Sequence, residues 1–365
     1  MKFLFVIEQF YPYHDASAKV LKNLFSSNRF KNHEIHVLSI GNKNMVDDNL
    51  IIHELEYKDT LFYKTINKIQ SGKFITNKKL IKLFANEINS ICAKEKIDNV
   101  TFVLGNMNFL KIKLQDNIKV NYIFYDTFFE NFFYKKEKTA NIFKIQTKAF
   151  SNANIIFLLE EYRDIYLHYH PEFVEKFKNF YITAFYDNLI YKQKPIPGQL
   201  LHTGAFFKGL RDPIPFFEFL HYCEEHKISL KGITLGELPK SLKKIKIPTN
   251  LLVNSRVFGD EYCCLLSKSE ALVLVDNCKE CKQIPSKAYE YIGYNKKIIF
   301  FTEGNTNTCK LLESNNNVYK IDKKINQTIL NGYCDFIKKE NSDERKKYFM
   351  NEKDYVATIF LEANK

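Results

Sequence analysis

The feature that most constrains the fold is a repeated alternation of strand-like and helix-like segments. Residues 2–7 form a continuous apolar run, which is typical of a strand buried on both faces of a parallel sheet. Residues 16–25 then place apolar side chains at helical spacing, and a second strand-like run covers residues 35–40. A strand, a helix and a strand in forty residues predict a βαβ unit, and the alternation continues along the chain.

The alternation starts again after a break near the middle of the 365 residues. Residues 192–198 contain two prolines and a glycine within four positions, which is typical of a linker. Both the length and this break favour two α/β domains, with ligand bound where the carboxyl ends of their parallel strands form a cleft. The predicted units are residues 1–192, residues 198–345 and a terminal helix at 346–365.

The net charge indicates a class of partner but does not identify a particular partner. The net charge is +12, which favours anionic partners in general. The basic residues are spread along the chain, and their densest runs resemble no nucleic-acid module, so we expect no nucleic-acid partner. Solvated faces account for most of this charge, while weak attraction to an anionic membrane surface stays open.

Several features favour a cytoplasmic protein. The short apolar start meets Glu8 at once, which does not fit a secretory signal. No uncharged apolar run approaches the 18 residues that a transmembrane helix needs. The eight cysteines are irregularly spaced, as expected of reduced thiols rather than a disulfide framework. We therefore expect a cytoplasmic location, and a peripheral position at the inner face of the membrane stays open.

The segment most informative about chemistry is IPSKAYEYIGYNKKIIF, residues 284–300. Pro285 and Ser286 suit a helix start, and Glu290 lies about one turn into that helix. A carboxylate there can accept two hydrogen bonds from a ribose diol, while the helix start can donate to a diphosphate. The alternative is a solvated glutamate on an ordinary helix, since short motifs also occur by chance.

This segment resembles the donor site of the large retaining GT-B glycosyltransferases, the family 4-like group with a motif close to P-S-K, hydrophobic, aromatic, E-Y. The resemblance implies that Glu290 holds the ribose of a nucleotide sugar. Many members carry another acid eight positions earlier, near the transferred sugar, whereas this chain has Lys282 there and Glu280 two residues before it. That departure leaves the identity of the sugar open.

A second segment, LLHTGAFFKGLRDP at residues 200–213, resembles the first strand and loop of the family's C-terminal domain, T-G-x-x-x-x-G-x-R-D-P. Gly204 lets the chain turn as it leaves the strand. The resemblance implies that Lys208 and Arg211 neutralise the departing diphosphate, Arg211 by binding two oxygens at once. The alternatives are solvated basic side chains on a surface turn and a local ion pair between Arg211 and Asp212.

Two further segments complete the resemblance. The loop after the first strand, residues 9–18, has small residues where the family often has glycines, and His14, Asp15 and Ser17 are candidate acceptor ligands. A helix cap by Asp15 is the alternative. Asp126, a fourth candidate acceptor ligand, follows a later strand, where the family often has an aspartate or histidine. The implied donor-binding residues are Gly204, Asn254, Ser255, Arg256, Val257, Pro285, Ser286, Lys287 and Tyr289.

One motif does not fit these assignments. Cys278 and Cys281 form a CxxC pair, which supplies two zinc ligands where a structural site needs four. The sequence also lacks the βαβ context of a thioredoxin-like redox motif at this point. We therefore predict no metal site.

The sequence thus predicts an α/β GT-B fold with two Rossmann-like parallel-sheet domains facing a central cleft. The resemblance implies a glycosyltransferase of the hexosyltransferase type that moves a sugar from a nucleotide-sugar to a carbohydrate or lipid-linked acceptor, in surface polysaccharide or glycan assembly. It implies retaining, metal-independent transfer with no cofactor beyond the nucleotide-sugar, UDP being the favoured nucleotide. It also implies that the N-terminal domain binds the acceptor and that the terminal helix packs back on that domain. The implied catalytic residues are Lys208, Arg211 and Glu290.

Two alternatives stay open. One is a nucleotide-sugar epimerase or hydrolase on the same fold, and the other is a degenerate glycosyltransferase that binds an active partner. An aromatic loop together with the basic surface favours an acceptor near a membrane. The aromatic residues of this loop are Phe128, Phe129, Phe132, Phe133 and Tyr134.

Overall fold

The computed structural model describes residues 1–8, 10, 16–40, 50–55, 77–105, 107–129, 139–183, 193–207, 209–236, 238, 246–255, 257, 259–322 and 324–365. It divides into two compact units. The first unit comprises Met1–Thr183 and Met350–Lys365, and the second comprises Ala184–Phe349. Within the described part of the chain, no helix combines the length and the apolar character needed to cross a bilayer.

Strands and helices alternate along the described chain. The strands are β1 (Lys2–Val6), β2 (Glu34–Ile40), β3 (Ile51–Leu55), β4 (Asn99–Leu104), β5 (Lys119–Phe124), β6 (Ile155–Leu159), β7 (Phe177–Phe180), β8 (Ile196–Thr203), β9 (Lys231–Leu235), β10 (Leu251–Asn254), β11 (Ser269–Val275), β12 (Lys297–Phe301) and β13 (Val318–Ile321). The helices are α1 (Ala16–Phe25), α2 (Lys78–Glu95), α3 (Thr139–Ser151), α4 (Glu160–Tyr169), α5 (Ile214–Glu225), α6 (Gly259–Lys268), α7 (Ser286–Tyr294), α8 (Asn307–Leu312), α9 (Gln327–Lys338) and α10 (Lys353–Ala363). Short 3-10 helices cover Asn28–Phe30, Phe109–Lys111, Pro171–Lys176 and Arg345–Asn351.

Both units are built on a parallel sheet. The first sheet has the order β3-β2-β1-β4-β5-β6-β7, and the second has the order β10-β9-β8-β11-β12-β13. Each paired strand in both sheets runs parallel to its neighbour. In each sheet the chain starts in the middle, works towards one edge, and then returns to build the other side. This is the doubly wound order of Rossmann-like domains, so the predicted fold class is confirmed for each unit.

The observed strands differ from the sequence analysis in two respects. Residues 196–198, predicted as linker, form the start of β8. The sequence analysis also missed β3 and β13. Both are edge strands whose residues are mostly exposed or half-buried, so they lack the continuous apolar run that marks the central strands.

The C-terminal helix α10 is part of the core of the first unit. The ring of Phe360 lies 5.3 Å from that of Phe5 and 5.2 Å from that of Phe157, measured between centroids, so the helix covers the middle of the sheet. Just beyond the helix, the buried Oδ1 of Asn364 accepts hydrogen bonds from Nδ2 of Asn99, at 2.8 Å, and from Nδ2 of Asn121, at 2.9 Å. The end of the chain is thereby fixed to the amino-terminal ends of β4 and β5.

Replacing Asn364 with leucine is expected to lower the free energy of unfolding of the first unit by about 2 kcal/mol. The side chain keeps its size, but two buried amide groups lose their acceptor, and an unsatisfied buried donor costs about 1–3 kcal/mol. Urea denaturation followed by circular dichroism measures the change. The exposed Asn117 provides the control, because Asn117→Leu removes an amide that is already in contact with solvent. Equal loss in both variants would contradict a role for this buried network.

Candidate functional site

In the second unit, the strand order reverses between β8 and β11, which lie side by side at the centre of the sheet. Ligands of doubly wound sheets bind outside the carboxyl ends of the strands at such a point, because the loops there diverge. β8 ends at Thr203 and is followed by Gly204, while β11 ends at Val275. Gly204 has φ of 146°, a conformation that side chains disfavour, so glycine is required for this exit from β8.

Arg211 connects the loops that follow these two strands. Phe207 and Arg211 exchange backbone hydrogen bonds of 3.1 and 2.8 Å. The guanidinium of Arg211 extends towards the loop after β11, where Nη2 donates to Oδ1 of Asn277 at 2.9 Å, and Nη1 donates to the carbonyl oxygen of Ala205 at 3.4 Å. Burial lowers the pKa of Arg211, while the nearby Asp276 opposes that shift.

The guanidinium of Arg211 therefore lies across the switch point, between the loops that follow β8 and β11. Its Nε is buried and, among the described residues, has no hydrogen-bond partner. A partly desolvated guanidinium with a spare donor suits bidentate binding of a phosphate. The predicted alternative, an ion pair with Asp212, is wrong: Oδ1 of Asp212 accepts a hydrogen bond of 3.1 Å from the backbone N of Ile214, at the start of α5.

Asp276 holds the loop after β11 in place. Its Oδ2 accepts hydrogen bonds from the hydroxyls of Thr302, at 2.8 Å, and Thr306, at 2.6 Å. Its Oδ1 accepts from the hydroxyl of Thr308, at 2.7 Å, and from the backbone N of Asn277, at 2.9 Å. Burial raises the pKa of Asp276, although these hydrogen bonds favour the carboxylate. This carboxylate is saturated by the protein, so its role is to position Asn277 and the Arg211 that Asn277 binds.

Glu290 lies in a cluster of donors on α7 and α6. Its Oε1 accepts hydrogen bonds from the hydroxyls of Tyr262, at 2.6 Å, and Tyr294, at 2.7 Å, and its Oε2 forms an ion pair with Nζ of Lys287. The helix explains most of this arrangement, because residues three and four positions apart lie on one face. Glu290 is 8% exposed, which makes it a buried carboxylate with a cation beside it.

Tyrosine hydroxyls join this cluster to the end of β8. The hydroxyl of Tyr291 lies 2.9 Å from both the backbone N and the Oγ1 of Thr203, and the hydroxyl oxygen of Tyr262, whose proton is donated to Glu290, lies 3.3 Å from the same Oγ1. A Cβ atom added to Gly204 would lie 3.8 Å from Cγ of Lys287. The fold therefore brings together Gly204, Lys287 and Glu290, three residues that the sequence analysis assigned from two separate segments.

The other predicted donor residues are less closely connected. Pro285 precedes α7 and accepts a backbone hydrogen bond from Ala288, while Ser286 begins the helix without a side-chain cap. The side chain of Tyr289 is buried. Asn254, Ser255 and Val257 lie at the carboxyl end of β10, on the same edge of the sheet but two strands from β8. Lys208 and Arg256 lie outside the described residues.

The predicted acceptor residues belong to the first unit. Ser17 lies in the first turn of α1, and Asp126 follows β5, where its Oδ1 accepts a hydrogen bond of 2.9 Å from the backbone N of Thr127. His14 and Asp15 lie outside the part of the chain that the structure describes, as do three of the five aromatic residues of the predicted membrane loop. The other two, Phe128 and Phe129, are buried in the core, so these two rings are not available to contact a membrane.

Tyr294, Asn277 and Tyr262 also contribute to the site and were not assigned from the sequence. Tyr294 could have been found from its spacing, since it lies four residues after Glu290 on the same helix. Asn277 follows directly after a buried strand, which is a common position for binding residues in parallel sheets. Tyr262 had no local pattern that could reveal it, because it reaches Glu290 only through the packing of α6 beside α7.

One group of side chains in the first unit has the composition of a metal site. Glu34, His36 and Glu95 place their ligand atoms within 4.8 Å of one another. The chain supplies its own cation, however, because Nζ of Lys2 lies 2.7 Å from Oε1 of Glu34. The same oxygen accepts from Nε2 of His36 at 2.8 Å, and Nδ1 of His36 lies 2.8 Å from Nε2 of His53. These contacts satisfy the group as a hydrogen-bonded cluster.

Comparison with solved structures identifies the fold. The glycosyltransferase WaaG, involved in lipopolysaccharide biosynthesis, matches with a TM-score of 0.60 and 12% identity over 99% of this chain and 98% of that one. HepE from Anabaena, solved with UDP and glucose, matches with a TM-score of 0.60 and 10% identity over 100% and 95%. A Listeria monocytogenes protein assigned as a UDP-N-acetylglucosamine 2-epimerase matches with a TM-score of 0.58 and 12% identity over 100% and 95%.

The chain therefore has the GT-B fold of these glycosyltransferases, as the sequence predicted. The correspondence extends over nearly the whole length of both chains in each comparison, so it covers both units. No protein-family model matches the sequence, and no curated protein is similar to it. At 10–12% identity the likeness concerns the fold, and the activity has to be argued from the site.

Proposed function

We propose that this protein is a glycosyltransferase that takes its sugar from a nucleotide-sugar bound by the second unit. The observation that carries the proposal is Arg211, a partly buried guanidinium with a spare donor, held across the switch point of a doubly wound sheet by Asn277. A phosphate group is the ligand that such a site suits best. Glu290 lies in the same unit, and its carboxylate would accept hydrogen bonds from the ribose.

Transfer of the sugar would leave the charge of the departing diphosphate to be stabilised by this chain. A fixed guanidinium is effective in that role, because its donors are already oriented before the charge develops. Lys208, in the same loop, would add a second positive charge. The proposed reaction is metal-independent and retaining, needs no cofactor beyond the nucleotide-sugar, and uses UDP, which is the nucleotide bound to HepE.

We assign the acceptor to the first unit, where Ser17 and Asp126 follow strands of the sheet at their carboxyl ends. His14 and Asp15, which precede Ser17 in the sequence, are proposed as further acceptor ligands. A carbohydrate or lipid-linked acceptor fits an assembly pathway for surface polysaccharide or another glycan, which is also the context of WaaG. We also propose that the protein is cytoplasmic and works close to an anionic membrane surface, to which a net charge of +12 would be attracted.

Binding of UDP tests the donor site. UDP at about 100 times its dissociation constant is expected to stabilise the protein by about 2.7 kcal/mol, which is readily detected as a shift in Tm. The variant Arg211→Gln is expected to lose most of this shift, because the amide cannot bind two phosphate oxygens. Arg345→Gln, which changes an exposed arginine of the same unit, is the control and should keep the shift. No shift with any nucleotide diphosphate would favour a degenerate glycosyltransferase that acts by binding a partner.

A nucleotide-sugar epimerase or hydrolase is the second candidate, since the Listeria monocytogenes protein shares the fold over 95% of its length. Product analysis separates the candidates. The protein is incubated with each UDP-sugar, with and without a carbohydrate acceptor. Conversion of the sugar in the absence of acceptor would support the epimerase or the hydrolase, whereas release of UDP that depends on the acceptor supports transfer.

A further inference from the structure

A cavity of about 660 Å³ opens in the first unit, between α3, the start of β5 and the segment 110–118. Its volume is within the range of about 300–1,000 Å³ that small-molecule sites occupy. The 3-10 helix Phe109–Lys111 packs beside α3, and the chain then turns into β5 through a hydrogen bond of 3.1 Å from the N of Ile118 to the O of Gln115. The cavity is therefore framed by regular elements of the sheet and its helix layer.

The floor of this cavity is apolar. Ile118 and Tyr122 are buried beneath it, and Leu114, Val120 and Ile145 are half-buried along its walls. Val120 and Tyr122 share a face of β5 because side chains two positions apart point the same way. Such a surface offers hydrocarbon contacts and few hydrogen bonds, so it suits an alkyl chain better than a sugar or a nucleotide.

The rim of the same cavity is cationic. Lys111, Lys113, Lys144 and Lys148 line it, and Asp116 is the one acidic residue among the lining residues that the structure describes. Lys144 and Lys148 are exposed and lie four residues apart, so both extend from one face of α3. Lysine side chains can keep their ammonium groups in water while their methylene stems cover apolar surface. The rim therefore complements an anionic headgroup.

We propose that this cavity binds an anionic amphiphile, with one acyl chain of a phospholipid along the apolar floor and its phosphate at the lysine rim. An apolar floor alone would accept any hydrophobic group, and a lysine rim alone would accept any anion. Only an amphiphile uses both. The proposal goes beyond the donor site and does not depend on it, because every residue that carries it lies in the first unit.

The absence of tryptophan from the chain provides a direct test. Leu114→Trp places a single tryptophan at the cavity, and Ile51→Trp places one on the exposed edge strand β3 of the same unit. The probe is lysophosphatidylglycerol with a brominated acyl chain, kept below its critical micelle concentration. Saturable quenching at Leu114→Trp, without quenching at Ile51→Trp, is the expected result. Ile145→Trp serves as a second reporter should Leu114→Trp fail to fold.

The lysine rim is tested in the background of the reporter. Lys144→Gln with Lys148→Gln is expected to weaken binding about thirtyfold, since a basic residue near an anionic lipid contributes about 1 kcal/mol and 1.4 kcal/mol is tenfold. The matched control is Lys78→Gln with Lys82→Gln, which removes two exposed lysines at the same spacing on α2 and should leave binding unchanged.

Three results would overturn the proposal. Equal quenching of both reporters would mean non-specific partition of the lipid onto the protein. Equal affinity for brominated lysophosphatidylcholine, whose headgroup has no net charge, would exclude recognition of the headgroup by the rim. Displacement of the probe by millimolar inorganic phosphate would show an anion site without a role for the acyl chain. Binding of UDP by the second unit would be unaffected by each of these results, so the two proposals fail separately.

Discussion

Replacing Glu290 with glutamine is expected to lower the free energy of unfolding of the second unit by about 3–4 kcal/mol. Removing one partner of a buried ion pair costs about 3–5 kcal/mol, because the remaining charge is left without compensation. Here the remaining charge is the ammonium of Lys287, whose side chain is only 20% exposed. The amide of glutamine keeps one acceptor oxygen for the hydroxyls of Tyr262 and Tyr294, so the lower part of that range applies.

A second substitution separates two effects of Glu290→Gln: the loss of stability from an unpaired charge, and the loss of a residue that binds the nucleotide. Adding Lys287→Met to Glu290→Gln removes the unpaired ammonium and is expected to recover most of the lost stability, while UDP-dependent stabilisation stays lost. Urea denaturation at several UDP concentrations gives both quantities for each of the four proteins in the cycle. Full recovery of UDP-dependent stabilisation in the double variant would show that Glu290 supports the fold and does not contact the nucleotide.

The sequence predicted the architecture well because the central strands are buried on both faces. Residues 2–7 and 271–275 read as continuous apolar runs, and each forms a central strand. Helix α7 begins at Ser286, as expected after Pro285. The edge strands β3 and β13 were missed because they are stabilised by pairing with a neighbour, which leaves little trace in the hydrophobic pattern of a single segment.

Only those parts of the candidate site whose residues lie close together in the sequence were predictable. The spacing within α7 places Lys287 beside Glu290. A glycine directly after a predicted strand indicated a turn at Gly204, and Gly204 has a positive φ there. The partners of Arg211 were not predictable, because the nearest acid in sequence, Asp212, is used at the start of α5. The guanidinium instead binds Asn277, which is 66 residues away and becomes its neighbour only when β8 pairs with β11.

We expect the stability of the second unit to depend strongly on pH, because a buried histidine lies close to the candidate site. His202 is buried in β8, its ring stacks on that of Phe206 with centroids 4.1 Å apart, and its Nδ1 lies 3.1 Å from Oγ1 of Thr234. Burial lowers the pKa of His202 to about 3, and the positive charges of Arg211 and Lys287 add to the effect. The imidazole is therefore neutral in the folded protein at pH values where a histidine in the unfolded chain takes up a proton.

Stability should consequently fall as the pH drops below about 6.5, because the unfolded state binds a proton that the folded state does not. The loss grows by about 1.4 kcal/mol per pH unit and reaches about 3 kcal/mol at pH 4, since His202 is not protonated in the fold until about pH 3. Urea denaturation at pH 7 and pH 4 measures this difference. His202→Asn, which keeps a polar group for Thr234, is expected to remove about 3 kcal/mol of the pH-dependent loss.

The exposed His226 of the same unit supplies the control, and His226→Asn should leave the difference between pH 7 and pH 4 as it is in the parent protein. The comparison isolates His202, because the carboxylates that also titrate in this range are common to all three proteins. An unchanged pH dependence in His202→Asn would mean that this imidazole is protonated within the fold. The positive charges of Arg211 and Lys287 would then have to be screened from it, which would also weaken the case for a guanidinium that is desolvated and ready for phosphate.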